Sequence, residues 1–576
     1  MAKAMTLTDL LLRHARVQPE RLACVMLGED NREEATLTFH QLHHAATVVA
    51  GRLQRHAAAG DRVLLMYSSS LEFVVVFFAC QYAGLIPVPV VPPTGHRVRD
   101  VVARIISDCT PAVAATAPEH LAQVEAFLAA QGATGGLRAM APQLDEILGA
   151  ATPPVLSGAT ERASDVAFIQ YTSGSTSDPR GVVVGQEALF ANLAMMARAF
   201  ENTSASTHVG WAPLHHDMGL IANLLQPLYV GALCVLMSPR RFALEPWLWL
   251  RAISHYRAEV SGGPNLAYEL CVRRAARALS SPLDLSCWRL AFNSAEPVQA
   301  ATLERFTAAF EVAGFQMRSF YPCYGLADAT LLVTGGAVAE APVIKTISRV
   351  ALEAGRAQPA EEGDGKTLVG AGKALTGQRV VIVDPNTGSE CAAGHVGEVW
   401  VCGPNVPEGY WRDKKDRSAA TFRNALASHP GENFLRTGDL GFLVDSELFI
   451  TGRLKDMFIV RGRNIYPQDI EAAAQRQISG LRAGSGASFC IEREGGPFVV
   501  LVQEVERTAR RHDPVQVAGA IRRAVFSELD LTLDDIVLVD PGQVPLTTSG
   551  KLRRRRAAEC YARGDFARPA GVRRER

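Results

Sequence analysis

The chain has 576 residues and a mass of 62.0 kDa, room for two to four compact domains at the usual ~100–200 residues each. Hydrophobic residues make up 48% and charged residues 20%, which excludes a disordered tail protein, a collagen and a disulfide miniprotein. Basic and acidic residues both number 59, so no net field draws the chain to nucleic acid or to an acidic membrane, and any anionic ligand must be met by local groups. Within that balance Lys is scarce: it stands only at positions 3, 345, 366, 373, 414, 415, 455 and 551. Where such a chain does use Lys, chemistry that Arg cannot perform comes into question. The last 26 residues, from Lys551, hold ten basic and three acidic side chains, a local net of +7, which reads as a solvated face or a frayed tail.

Eleven Cys residues without a C-x-x-C pair or Cys/His ligand spacing read as reduced thiols. Leu10, Leu11 and Leu12 run at once into Arg13 and His14, unlike a signal peptide. The longest apolar stretch, residues 73–80, is far short of the ~20 residues that span a bilayer. A cytoplasmic protein without stable membrane insertion is expected.

In chain order, the apolar residues 74–78 lead into a Pro-rich stretch at 86–93 (IPVPVVPP). Proline lacks the amide donor a helix needs, so extended chain at a sheet edge or in a loop is expected there. Residues 114–163 read as helix, loop and linker. Residues 165–171 (DVAFIQY) predict a short strand, and Val182, Val183 and Val184 another after a polar glycine-rich turn. Between 187 and 200, Leu189, Leu193, Met196 and Phe200 share one helical face. Strands and helices alternate to about residue 340, favouring an α/β fold with mixed sheets. A polar surface insertion follows at about 355–378. Residues 379–450 read as short strands joined by turns, a β-rich subdomain, and then comes a small α+β unit with a strand at 498–505 and a helix at 515–528.

Six segments could carry chemistry. Residues 171–181 (YTSGSTSDPRG) place hydroxyls and glycines in a turn whose N–H and O–H donors suit a phosphate chain. It is no Walker A loop, for G-K-[ST] is missing and a strand follows where a helix is required. An ordinary Ser/Gly turn explains this segment equally well in isolation. His215, His216 and Asp217 stand in 211–220, but consecutive residues do not readily converge on one ion, so a polar tip on a pocket wall is favoured over zinc. Residues 321–328 (YPCYGLAD) set an aromatic at Tyr324 and a carboxylate at Asp328, suited to a planar base and a cation, or to a packed turn and a helix cap. The remaining three are 436–441 (RTGDLG), 452–456 (GRLKD) with 461–467 (RGRNIYP), and 547–551 (TTSGK).

In order and spacing these six segments resemble the motif series of the adenylate-forming superfamily, which comprises acyl-CoA synthetases, adenylation domains of peptide synthetases and luciferases. The likeness runs from near the N-terminus to about residue 560. The words at 261–268 (SGGPNLAY), 319–326 (SFYPCYGL) and 461–471 (RGRNIYPQDIE) look like the fatty acyl-AMP ligase branch. The polar segment at about 355–378 lies where that branch carries an insertion that hinders the closure needed for CoA use.

The resemblance implies a mixed α/β fold with a large N-terminal adenylation domain over 1–454, containing the insertion and a β-rich subdomain at about 379–454. A small mobile α+β domain over 455–563 and a basic tail at 564–576 complete it, with Lys455 as the hinge. It implies ATP and Mg²⁺ as cofactors, and a medium- or long-chain fatty acid that is adenylated with release of pyrophosphate. The acyl group then passes to the phosphopantetheine of an acyl carrier protein. Fatty acyl-CoA synthesis and a catalytically silent lipid- or nucleotide-binding module are the alternatives.

By the same resemblance Thr172, Ser173, Gly174, Ser175 and Thr176 cradle the β/γ-phosphates, and Lys551 reaches the α-phosphate and the incoming carboxylate. Tyr324 stacks on adenine beside Gly325, with Ser294, Ala295 and Glu296 lining the base. Asp439 takes the ribose hydroxyls with help from Arg453, His216 stands between acyl pocket and phosphate, and Asp328 with Thr176 serves the metal. Two positions depart from the family: Asp328 stands where Glu is usual, and Arg180 where Lys often closes the phosphate loop.

Overall fold

A computed structural model describes residues 5–131, 137–150, 164–172, 179–361, 363–413, 417–476, 478, 480–494, 496–506, 513–547 and 551–566. Its central sheet has nine strands in the spatial order Lys373–Ala374, Leu332–Gly335, Phe320–Gly325, Leu290–Asn293, Val260–Gly263, Thr207–Gly210, Leu233–Met237, Leu22–Leu27 and Glu33–Thr38. The six strands from Phe320–Gly325 to Leu22–Leu27 are parallel, and the outer pairings are antiparallel. Such strands are covered on both faces, which is why Leu290–Asn293 and Val260–Gly263 are buried throughout. Parallel strands also end on one common edge, and ligands of open α/β sheets gather outside the carboxyl ends. The segments beginning at Trp211, Pro264, Ser294 and Leu326 all leave strands at that edge.

A second, four-stranded parallel sheet has the order Ile86–Val90, Arg62–Met66, Val113–Thr116, Arg138–Met140. The Pro-rich stretch is its edge strand, as its composition requires: Pro87 and Pro89 are two residues apart, so their missing donors fall on one side of the strand. Residues 74–78 lie in the helix Leu71–Ala83, which is buried on nearly every face. The helix expected near 187–200 is Gln186–Ala199. In place of helix, loop and linker alone, residues 114–163 include most of the strand Val113–Thr116 and all of Arg138–Met140, which are too short to show a period.

The strands Val166–Thr172 and Arg180–Gly185 form an antiparallel pair. The β-rich part has the order Arg379–Val383, Gly397–Cys402, His429–Val444, Asn424–Leu426, with Glu447–Arg453 also on His429–Val444. Within the span expected as a polar surface insertion, about 355–378, the strand Gly365–Val369 pairs antiparallel with Ile344–Ser348, and the short helix Arg349–Glu353 lies between them in the chain. Lys373–Ala374, inside the expected span, instead closes one edge of the central sheet.

Beyond residue 455, the strands Leu481–Arg493, Gly496–Val505 and Asp535–Val539 carry the helices Pro467–Arg476, Pro514–Leu529 and Arg554–Arg563. They enclose their own core of Ile470, Ala474, Leu501, Ile521 and Val525. The basic run from Lys551 is no mere solvated face, because it starts that last helix and Arg554 is buried among carboxylates. All eleven cysteines are free thiols. Among the described residues no helix is long and apolar enough to cross a membrane.

Gly372 has φ +82°, and a Cβ there would come within 2.0 Å of the Gly335 carbonyl oxygen. Gly372→Ala combines left-handed backbone strain with an edge-strand clash, and is expected to cost about 3 kcal/mol of stability. Urea denaturation checks this; a loss below about 1 kcal/mol would contradict the edge-strand geometry.

Candidate active site

At the carboxyl edge of the central sheet, Tyr324 ends a buried strand and Gly325 turns the chain. A Cβ on Gly325 would sit 2.0 Å from the Leu331 carbonyl oxygen, so only glycine permits this return. The Tyr324 hydroxyl donates to Asp439 Oδ2 at 2.8 Å, and Arg453 Nε lies 2.9 Å from Asp439 Oδ1. Asp439 is 5% exposed. A buried carboxylate is tolerated when paired, and each oxygen keeps a further lone pair for a ligand hydroxyl. The Asp439 charge in turn raises Arg453 above its ordinary range.

The loop that carries Asp439 is held from beneath by Glu398, which is 2% exposed. Glu398 accepts from Trp400 Nε1 at 2.9 Å, Arg436 Nε at 3.0 Å and the Gly438 amide at 3.1 Å. Thr437 Oγ1 donates to the Val399 carbonyl at 2.7 Å and accepts from the Asp439 amide at 3.1 Å. Asp439 is thus fixed by position before any ligand arrives.

Asp328 lies just beyond Gly325 and accepts from the Tyr410 hydroxyl at 2.6 Å. Burial pushes its carboxyl above the usual range, opposed by that hydrogen bond and by the charge of Arg180. The Arg180 guanidinium stands 5.4 Å from the centre of the Tyr410 ring. The chain around Tyr410 also runs against the strand Arg180–Gly185, with the Trp411 amide donating to the Gly181 carbonyl at 2.7 Å. Tyr410 therefore joins the exit of the Ser/Gly turn to the carboxylate.

Ala295 adopts φ +71°, an uncommon backbone for a residue with a Cβ and one that clusters at functional sites. Glu296 next to it accepts from the Leu266 amide at 2.6 Å. Its tip meets solvent, yet crowding in the cleft raises its carboxyl, opposed by the Leu266 amide and by the charge of Lys551. Lys551, from the C-terminal part, is exposed, and its charge acts on Glu296. It sits in a loop closed by Thr547 N donating to Lys551 O at 2.8 Å and Lys551 N to Thr547 Oγ1 at 3.0 Å. His216 is half-buried, with its ring 4.4 Å from that of His215. The His215 carbonyl accepts from Gln170 Nε2 at 2.9 Å, which ties this segment to the strand entering the Ser/Gly turn.

The insertion grips the C-terminal part. Glu353 takes Arg463 in a two-point pair at 2.7 and 2.9 Å, and Lys366 Nζ meets Asp469 Oδ2 at 2.7 Å. The exposed Lys455 and the turn around it lie between the two bodies.

Of the residues singled out in the sequence, Tyr324, Gly325, Asp439, Arg453, Asp328, Ser294, Ala295, Glu296 and Lys551 gather at or beside this edge. Thr172 ends its strand opposite Arg180. Ser173, Gly174, Ser175 and Thr176 lie outside the described residues. Sequence reasoning missed Glu398, Tyr410, Gln170 and Glu353. Each acts on a partner from 38 to 110 residues away, and no local period marks such a pairing.

The family described as AMP-binding enzyme matches residues 11–411, and a Disco-interacting protein 2-like AMP domain matches 455–568. The chain is 39% identical over 95% of its length to the medium-chain-fatty-acid–[acyl-carrier-protein] ligase JamA of Moorena producens, covering 94% of that protein. It is 36% identical to the corresponding ligase TtuA of Teredinibacter turnerae, covering 95% of this chain and 92% of that one. Among solved structures, one from work on fatty acyl-adenylate ligases of E. coli and L. pneumophila has a TM-score of 0.86 at 33% identity, covering 98% of this chain and 99% of that chain. A fatty acyl-adenylate ligase from L. pneumophila in complex with acyl adenylate and pyrophosphate has a TM-score of 0.73 at 35% identity, covering 97% and 96%.

If the insertion clamps the C-terminal part, the double variant Glu353→Ala/Lys366→Ala frees the turn around Lys455. Tryptic cleavage after Arg453 or Lys455 is expected to accelerate severalfold in limited proteolysis. An unchanged cleavage rate would contradict the clamp.

Proposed function

We propose that this chain, which belongs to the fatty acyl-AMP ligase branch of the adenylate-forming superfamily, uses ATP to convert a medium- or long-chain fatty acid to its acyl-adenylate. It then hands the acyl group to the phosphopantetheine thiol of an acyl carrier protein. The observation that carries this reading is the contact of Tyr324 and Arg453 with Asp439 at the carboxyl edge of the parallel sheet, and the charge of Lys551 felt by Glu296 supports it.

In the first step a carboxylate oxygen of the fatty acid attacks the α-phosphorus, and the bond to the bridging oxygen of pyrophosphate breaks. The acid is an anion at pH 7, so no general base is needed. The barrier lies in bringing anions together and in stabilising charge on the phosphate oxygens. Lys551 supplies the compact charge that bridges oxygens of both reactants, a task suited to an ammonium with three donors. Tyr324 stacks on the adenine, with Gly325, Ser294, Ala295 and Glu296 beside it, and Asp439 uses its remaining lone pairs for the ribose hydroxyls. Arg453 holds Asp439 in place. Thr172, Ser173, Gly174, Ser175 and Thr176 offer donors to the β/γ-phosphates, and Arg180 keeps the charge that Lys often supplies. His216 forms the wall between acyl chain and phosphate.

Mg²⁺ would be held by Asp328 and Thr176. The Tyr410 hydroxyl engages Asp328 at one oxygen, and a carboxylate so placed has capacity for a cation that otherwise rests on substrate phosphates. Bound there, the ion would neutralise phosphate charge.

In the second step the thiol gives up its proton to solvent and attacks the acyl carbonyl carbon, the carbon–oxygen bond to the phosphate breaks, the thioester forms, and AMP leaves with the former carboxylate oxygen. Lys455 is the hinge that exchanges the two active arrangements. The grip of Glu353 and Lys366 on Arg463 and Asp469 supports a carrier protein over CoA as the acceptor, as do the carrier-protein ligases among the relatives.

Lys551→Ala is expected to lower pyrophosphate release at least 100-fold while fatty acid binding stays nearly intact; normal release would refute its role. With ATP and acids of several lengths, holo carrier protein and CoA supplied together, acyl carrier thioester is the expected product by mass. Acyl-CoA as the main product would make the chain an acyl-CoA synthetase.

A further inference from the structure

Four consecutive arginines, Arg553 to Arg556, follow Lys551, and one of them, Arg554, is half-buried between two carboxylates. Arg554 has a side chain 17% exposed, and its partners Asp456 and Glu471 are 16% and 9% exposed. Its Nε and Nη2 each lie 2.8 Å from the two Glu471 oxygens, and its Nη1 lies 2.8 Å from Asp456 Oδ2. Arg555, by contrast, is 70% exposed. A planar guanidinium held on two edges has no free rotation left. Its position at the first residue of the helix Arg554–Arg563 is unfavourable for a cation by the helix dipole. The two carboxylates offset that cost.

The two residues joined by this pair have particular neighbours. Asp456 closes a turn, with its amide donating to the Arg453 carbonyl at 3.1 Å, and Arg453 itself reaches Asp439. At the other end, the Arg553 amide donates to the Pro545 carbonyl at 2.9 Å, closing the loop that contains Lys551. A continuous series of contacts therefore runs from Tyr324 through Asp439, Arg453, Asp456 and Arg554 to the Lys551 loop. Through the covalent chain Asp456 and Lys551 are 95 residues apart.

We infer that Arg554, through Asp456, is a positioning residue that fixes the Lys551 ammonium relative to Arg453 and the hinge for the adenylation step. Glu471 anchors the guanidinium, with its Oε1 also accepting from the Ser488 amide at 2.9 Å, and Asp456 is the arm that meets the hinge turn. The inference rests on the reading of Lys551 given above. Lys551 serves only the first half-reaction in that reading, so the loss of the arm is selective for that half.

The test uses the full chain with Asp456→Ala, which removes the hinge arm and leaves the Arg554–Glu471 pair. The rate constant for acyl-adenylate formation is expected to fall at least tenfold, with the KM for ATP and for the fatty acid changing less than threefold. Transfer from supplied acyl-adenylate to holo carrier protein is expected to stay within twofold. The isosteric Asp456→Asn, which retains an acceptor, is expected to show a smaller loss confined to the same half-reaction, and guards against misfolding of the alanine variant. A merely structural ion pair predicts that both half-reactions fall together, or that neither changes; either outcome overturns the inference. Acyl-adenylate formation by the wild type, measured first, bears on the earlier reading, and the ratio of variant to wild type bears on this one.

Discussion

Asp439 sits between a phenol and a guanidinium, each from a different part of the chain. Tyr324 comes from the end of a parallel strand and Arg453 from the last residue before the hinge turn, while Asp439 stands on the long strand of the β-rich part. A carboxylate this buried is stable only when both partners are present. The contact thus makes three elements agree on one geometry. Glu398 accepts from three donors beneath the loop, so the Asp439 carboxylate is held in place in advance, and preorganisation of this kind is the condition for strong electrostatic stabilisation.

The wider architecture serves the same edge. Six parallel strands deliver the segments that begin at Trp211, Pro264, Ser294 and Leu326 to one line. The C-terminal part approaches from outside with Lys551, while the insertion holds it by Glu353 and Lys366. Among the described residues these charge pairs tie it to the large domain. A grip of that kind can be released without unfolding either body.

Much of this was legible in the residues. The ordered segments single out Tyr324, Asp439 and Arg453, which the fold brings into contact, and the scarcity of Lys makes Lys455 and Lys551 stand out. The helix Gln186–Ala199 and the edge strand Ile86–Val90 followed from periodicity and from the missing donors of proline. What escaped was short or remote. Strands of three and four residues, such as Arg138–Met140 and Val113–Thr116, carry no readable period. The strand Ile344–Ser348 that pairs with Gly365–Val369 gives no sequence signal, because it has mixed polarity and only one fully buried residue. Arg554 hid within a run of arginines that reads as solvated, although the fold surrounds it with carboxylates from two other segments.

The central claim is that a carboxylate oxygen of the fatty acid attacks the α-phosphorus of ATP and later leaves with AMP. A medium-chain acid labelled with ¹⁸O in its carboxylate, turned over with ATP and holo carrier protein, tests it most directly. The account predicts one ¹⁸O in AMP and none in pyrophosphate, read by mass spectrometry. Label in inorganic phosphate with ADP as the nucleotide product would place the attack on the γ-phosphorus and contradict the account.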